Sequence, residues 1–184
     1  MTEPLTPAVF LDRDGVINRC RPDHVKSWGE FEFLPGVLSS LAALRSTGTP
    51  VVIVTNQGAV GRGLLAADRL QAIHLRMLDG IHVAGGHITA IYTCLHAPTD
   101  GCACRKPSPE LFRRASAEHA IDLSRSIKVG DSPTDVEAAR AAGCRPVRVI
   151  ADGETLDPDV IGVNGLPEAV ALWRSLQVPA AVPC

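Results

Sequence analysis

Aromatic side chains are scarce: four Phe, two Trp and one Tyr make up 4% of 184 residues. A core must therefore be assembled from Val, Ile, Leu and Ala, which suits strands buried on both faces with helices packed over them. No apolar run approaches the roughly 18 residues of a membrane span. The opening residues, Met1-Thr2-Glu3-Pro4, lack the basic segment and apolar stretch of a secretory signal, so a cytoplasmic chain is expected. Basic charge is not in excess either. With 18 Lys and Arg against 20 Asp and Glu, the net charge is −2 and the pI near 6.3. That balance points away from nucleic acid and from anionic membranes as partners. Six cysteines are too few and too scattered for a secreted disulfide scaffold. With no internal repeat and no low-complexity linker, the length predicts a single domain over 1–184, its tail from residue 178 frayed.

Short apolar runs at 8–11, 51–54, 88–93, 127–129 and 147–150 read as buried strands. Helical patterns lie between them. Leu38, Leu41 and Leu44 recur at helical spacing after Pro35-Gly36. Leu70, Ile73, His74, Met77, Leu78 and Ile81 form one stripe of period 3.6. A helix follows Ser108-Pro109, another covers 133–142 and stops at Gly143, and a last one covers 166–176. Strands alternating with helices predict an α/β three-layer Rossmann-like sandwich around a mostly parallel sheet. In such folds ligands bind beyond the carboxyl ends of the strands. The polar residues at those ends are Asp12, Thr55 and Asp131.

Asp12 and Asp14 stand two residues apart immediately after the first strand, in Phe10-Leu11-Asp12-Arg13-Asp14-Gly15. Such charge beside a buried strand requires a cation nearby, and Mg²⁺ takes carboxylate, phosphate and water oxygens. Alone, the pattern also reads as a solvated Asp-Gly turn. The rest of the chain tips the balance: Thr55 offers a hydroxyl, Lys106 a fixed positive charge, and Gly130-Asp131 with Asp135 one helical turn later a third carboxylate. Each falls at or after a strand end.

This ordered set, over residues 8 to 150, resembles the haloacid dehalogenase superfamily of phosphohydrolases. The resemblance implies that Asp12 is the nucleophile and Asp14 the general acid and then base. It also implies that Thr55 and Lys106 hold phosphoryl oxygens, and that Asp12, Asp131 and the backbone carbonyl of Asp14 hold Mg²⁺. The physics agrees with those roles, since phosphoryl transfer depends mainly on positioning and on charge neutralisation.

Cys94-Leu95-His96 and Cys102-Ala103-Cys104 enclose five residues. Three thiolates and one imidazole match a closed structural Zn²⁺ site, which would fix the loop carrying Arg105 and Lys106. A disulfide or packed thiols are the other readings. Cys20, Cys144 and Cys184 have no partner spacing. The loop is similar to that of the subgroup containing heptose bisphosphate phosphatases and bacterial histidinol-phosphate phosphatases. Residues 10–18, Phe31 to Gly36, Thr55-Asn56-Gln57 and Gly61-Arg62-Gly63 are similar to the heptose branch. That resemblance implies D-glycero-D-manno-heptose 1,7-bisphosphate as substrate, with loss of the 7-phosphate. Departures from the branch fall at Leu95, Ala97, Asp23-His24, Gly58-Ala59 and 108–111, around the sugar side of the site.

Asn56 and Gln57 are expected to hydrogen-bond substrate or the phosphate loop, and Arg105 to contact substrate. Arg62 reads either as a reader of a distal phosphate or as a solvated arginine. His74, on the apolar stripe, reads as a packed histidine. The gaps from Asp14 to Thr55 and from Thr55 to Lys106 are already filled by assigned elements, so no large cap domain fits. A phosphomutase, which must exclude water, is disfavoured for that reason. A non-catalytic phosphate-binding module is disfavoured because Asp12 and Asp14 are both present. A polynucleotide phosphatase is disfavoured by the lack of a basic tract. The expected partner is a small phosphorylated sugar, and the expected state a monomer.

Overall fold

The computed structural model describes residues 4–150 and 155–177. The tail 178–184, including Cys184, lies outside the described residues. Among the described residues, six parallel strands form one sheet: β1 (Val9–Leu11), β2 (Val51–Asn56), β3 (Ala90–Cys94), β4 (Ile127–Gly130), β5 (Arg145–Val149) and β6 (Ile161–Val163). Their order is β3-β2-β1-β4-β5-β6. Side chains alternate between the two faces of the sheet. Val9, Leu11, Val51, Ile53, Ile127 and Val129 pack under α1 (Val37–Ser46), α3 (Ala67–Val83) and α6 (Leu166–Gln177). Phe10, Val52, Val54 and Tyr92 pack under α4 (Glu110–His119) and α5 (Pro133–Ala142) on the other face. This is the expected three-layer α/β sandwich.

The helix stripe at 70–81 buries Leu70, Ile73, Met77 and Ile81 in α3. α5 begins at Pro133 behind a Ser132–Asp135 capping box and ends at Gly143, as its sequence signals require. Two elements differ from the sequence reading. β6 was not anticipated: it is three residues long, half-exposed, contains Gly162 and pairs only with β5, so no apolar run announces it. A short α2 (Gly58–Gly61) follows β2, and its composition carries no helical signal.

No cap domain interrupts the described residues, and none of their helices is long and apolar enough to cross a membrane. The chain leaves β1 to build β2 and β3 on one side, then returns to build β4, β5 and β6 on the other. The gap between β1 and β4 is the switch point, where an open parallel sheet binds its ligands. Asp12 directly follows β1 there, and Asp131 directly follows β4.

Candidate active site

Asp12 is nearly buried. One carboxylate oxygen accepts the backbone N–H of Arg13 at 2.8 Å, and the other lies 3.0 Å from Lys106 Nζ. Lys106 reaches this point from the far end of the cysteine loop because its backbone is clamped. Asn56 Oδ1 accepts the Lys106 N–H at 3.1 Å, and Asn56 Nδ2 donates to the Lys106 carbonyl at 3.2 Å. The Asn56 amide is thus committed to the lysine's own backbone. Lys106 Nζ also donates to Val54 O at 3.1 Å and to Asp135 Oδ1 at 2.7 Å. Burial pulls its pKa down, but the charges of Asp12 and Asp135 more than offset this and hold it above the ordinary lysine value.

Asp14 is supported by a separate set of donors: Arg13 Nη2 at 3.0 Å, Asn18 Nδ2 at 2.9 Å and Gln57 Nε2 at 2.8 Å. Burial works to raise its pKa. The Arg13 charge and those hydrogen bonds outweigh burial and keep it below the usual carboxylate range. Gln57 Nε2 donates as well to Thr55 Oγ1 at 3.0 Å, which leaves the threonine's own proton free to donate into the site. Arg13 is fully buried, and its Nη1 lies 3.2 Å from His74 Nε2. Burial, aided by the Arg13 charge, lowers the His74 pKa to about 4, so the ring is neutral and accepts from the guanidinium. His74 is therefore a packed histidine, as expected, and it braces the residue beside Asp14.

Asp131 enters the site because Gly15 has no side chain: a Cβ there would overlap its carboxylate, and the Gly15 backbone sits at φ +77. Burial, with the nearby Asp12 and Asp135 charges, pushes the Asp131 pKa up to about 6. Asp12, Asp131 and Asp135 each offer an oxygen within 4.8 Å of the others, a set that suits a divalent cation. The two α5-side acids divide their tasks. Asp135 is occupied on both oxygens, Oδ1 by Lys106 and Lys128 and Oδ2 by the N–H and hydroxyl of Ser132. Asp12 carries a single donor on each oxygen, the Arg13 N–H and Lys106 Nζ, and so keeps lone pairs for a cation beside Asp131; two carboxylates are what Mg²⁺ takes when phosphate and water complete its shell. The Asp14 carboxylate lies outside this set, which leaves its backbone carbonyl as the only donor the sequence reading assigned to it.

A proton on Asp131 competes with a cation. The metal-free protein gains stability from the raised Asp131 pKa below the ordinary carboxylate value and loses it as pH rises through about 6. Mg²⁺ is therefore expected to raise Tm more at about pH 7.5 than at about pH 5. Equal shifts in thermal melts at both values would remove Asp131 from the site.

The second cluster is the cysteine loop. Cys94 and Cys102 Sγ are 3.6 Å apart, and Cys102 and Cys104 Sγ 3.7 Å. His96 Nδ1 lies 3.3 Å from Cys104 Sγ and 3.8 Å from Cys94 Sγ. A disulfide needs sulfurs about 2 Å apart. A tetrahedron with Zn–S arms of about 2.3 Å has edges of about 3.8 Å, so these four atoms stand where zinc ligands stand. The loop lies against α2, where a Gly61 Cβ would collide with the backbone of Leu95, His96 and Ala97. Arg105 Nη1 donates to His96 O at 3.4 Å and sits beside Gly58. Arg62 is exposed, and its guanidinium meets His24 Nε2, whose ring is close enough to Asp14 to feel its charge. His24 itself holds a left-handed backbone at φ 64. Cys20 is exposed and Cys144 buried, both apart from the cluster.

Three contributors escaped the sequence reading: Arg13 and Asn18, which hold Asp14, and Lys128, inside β4. A charged residue within a run that should be wholly apolar was the available signal for Lys128. Arg13 and Asn18 carried no such mark, since either reads as an ordinary loop residue.

A HAD-hydrolase-like family model matches residues 103–171. The D-glycero-β-D-manno-heptose-1,7-bisphosphate 7-phosphatase of Bordetella bronchiseptica is 39% identical over 173 residues, 94% of each chain. The D-glycero-α-D-manno-heptose-1,7-bisphosphate 7-phosphatase of Mycobacterium tuberculosis is 39% identical over 148 residues, 77% of this chain and 78% of that one. A crystal structure of D,D-heptose 1,7-bisphosphate phosphatase from B. bronchiseptica, complexed with magnesium and phosphate, superposes with a TM-score of 0.86. It is 36% identical and covers 92% of this chain and 99% of its own.

Proposed function

The chain belongs to the heptose-bisphosphate 7-phosphatase family of HAD-like hydrolases, and from that premise we propose that it removes the 7-phosphate of D-glycero-D-manno-heptose 1,7-bisphosphate through an aspartyl-phosphate on Asp12. The observation that carries the mechanism is the separation of two neighbouring carboxylates. Asp12 faces Lys106 and the cation set, while Asp14 is held apart by Arg13, Asn18 and Gln57.

In this reading an Asp12 oxygen attacks phosphorus and the bond from phosphorus to the sugar oxygen breaks. Asp14 gives its proton to the departing oxygen. It is ionised in the free protein, and the negative charge of an arriving phosphate reverses that balance and draws a proton onto it. The neutral alcohol leaves. A water then attacks the phosphorus of the acyl phosphate, Asp14 takes its proton, and Asp12 and inorganic phosphate are released. Thr55 and Lys106 donate to the phosphoryl oxygens. Mg²⁺, held by Asp12, Asp131 and the Asp14 carbonyl, would offset the repulsion between Asp12 and the phosphoryl group. Asn56 acts on this step only through the backbone of Lys106, and Gln57 through Asp14 and Thr55. Arg62 and Arg105 stand at the rim, where a sugar's second phosphate would lie. The chain works as a cytoplasmic monomer on this small substrate.

Cys94, His96, Cys102 and Cys104 would hold structural Zn²⁺, which stiffens the loop that presents Arg105 and Lys106. Cys102→Ser is expected to lose the bound zinc, measured by elemental analysis, and to lower Tm by more than about 5 °C. Full metal-free stability of that variant would rule out a structural zinc.

The substrate is tested by kcat/KM with Mg²⁺ for both anomers of the heptose bisphosphate, histidinol phosphate, fructose 1,6-bisphosphate and a 3′-phosphorylated oligonucleotide. One heptose anomer is expected to exceed the others by at least about 100-fold, the discrimination that unpaired polar groups in a site impose. A preference for histidinol phosphate would keep the chemistry and overturn the substrate.

A further inference from the structure

Lys128 is buried to 1% exposure in the middle of β4, on the sheet face covered by α4 and α5. No step described above uses it. A buried lysine is retained only where its charge is met, and here the partner is Asp135. Two residues along the same face, a Cβ on Gly130 would overlap the Asp135 side chain, so the bare glycine lets that carboxylate settle over the strand. Lys128 Nζ extends up to it, 3.1 Å from Asp135 Oδ1, and donates its other bond to Val129 O at 3.1 Å.

The same oxygen, Asp135 Oδ1, receives Lys106 at 2.7 Å. Lys106 has three hydrogens and three acceptors: Val54 O, Asp135 Oδ1 and Asp12 Oδ2. It has no donor left for a phosphoryl oxygen until it releases one of them. Asp12 is the one that must be released, because Asp12 must be free to attack. An Asp135 carboxylate serving Lys106 alone would hold the ammonium more tightly and draw it inward, away from the strand-end mouth. Burial, with the Lys106 charge beside it, lowers the Lys128 pKa from the ordinary lysine value against the pull of Asp135; its Nζ donates to Asp135 Oδ1 either way, and a carboxylate oxygen shared with a second donor holds Lys106 less tightly.

We propose that Lys128 is a positioning residue for the phosphoryl-binding lysine: by sharing Asp135 Oδ1 it keeps Lys106 poised between Asp12 and the incoming phosphoryl group. The inference rests on the reading of Asp12 and Lys106 given above. It separates two quantities that a packing role would not separate. Without Lys128, Asp135 draws Lys106 off Asp12. The phosphoryl group loses a donor, while Asp12 loses a competitor for the cation.

The test uses Lys128→Met, which keeps length without charge, and Lys128→Gln, which keeps a shorter donor; either serves if the other does not fold. Because Asp135 keeps Lys106 and both Ser132 donors, removing Lys128 leaves no buried charge unpaired, and Tm is not expected to fall. Three readouts are expected to move by about tenfold or more, the scale of one displaced charge contact near a protein surface. These are a fall in kcat, a weakening of inorganic phosphate as a competitive inhibitor, and a tightening of Mg²⁺ binding in calorimetric titration of the metal-free protein. In an Asp135→Asn background the Lys128→Met effect on phosphate should shrink by more than about threefold, since the two residues act as one unit. Wild-type kcat and phosphate inhibition in both variants, or effects that simply multiply with Asp135→Asn, would overturn the proposal. A uniform loss of phosphate and Mg²⁺ binding together would also overturn it, as that is the mark of a damaged fold. If the wild-type protein released no phosphate from any substrate, the catalytic reading would fail. The Mg²⁺ and phosphate titrations would still decide the role of Lys128.

Discussion

Asp12→Asn is expected to lower kcat by at least about 10⁴-fold, the scale seen when a catalytic nucleophile is removed. The amide has almost the same shape as the carboxylate, but it cannot attack phosphorus at a useful rate. It can still accept the Arg13 N–H, so the strand end keeps its turn. Lys106 loses one ionic partner and keeps Asp135 and Val54 O. The crowding of negative charge that raises Asp131 is relieved. Stability should therefore hold or rise slightly, and the loss of activity will not be a loss of fold. The variant is measured by single-turnover kinetics beside thermal melting and metal content. Activity within about tenfold of wild type would take Asp12 out of the nucleophile's role.

The second large effect belongs to Asp14→Asn, where kcat is expected to fall by about 10²- to 10⁴-fold, the usual contribution of a positioned acid or base. Two features separate this variant from the first. The Asp14 charge balances the fully buried Arg13, so its removal leaves a buried guanidinium poorly paired and should lower Tm. The loss should also depend on the leaving group. An aryl phosphate departs as a stable phenolate and needs no proton, so phosphoenzyme formation from it should be far less impaired than from a sugar phosphate. Hydrolysis of the phosphoenzyme should be slowed for both, because that step needs the base. Equal losses in the first step for both substrates would contradict a proton-donating role for Asp14.

The main parts of this site were legible before folding because each stands where an apolar run stops. Asp12 ends the run at 8–11, Thr55 the run at 51–54, and Asp131 follows 127–130. A parallel sheet places all three at one edge. That Cys94, His96, Cys102 and Cys104 come together was legible from spacing alone, since one short loop carries them. What sequence could not supply was the division of labour among neighbours. Asp135 reads only as a carboxylate one helical turn beyond Asp131 until its oxygens are seen to be occupied by Ser132, Lys106 and Lys128. Asn56 reads as a substrate contact until its amide is seen bonded on both sides to the Lys106 backbone. Arg13 and Asn18 gain their meaning only from contacts made in the folded chain. Lys128 lies within a run counted as apolar, where one buried charge is masked by its neighbours. β6 escaped because an edge strand of three residues with a central glycine leaves no periodic trace.

The most direct test of the whole account is an acid quench of the wild-type protein during turnover of the heptose bisphosphate. Borohydride reduction follows, then mass spectrometry of the peptides and of the released sugar. We expect the reduction to convert Asp12, and no other acid, to homoserine, the mark of an acyl phosphate, and the sugar to retain its 1-phosphate. An unmodified Asp12 during active turnover, or a product that has lost the 1-phosphate and kept the 7-phosphate, would contradict the account.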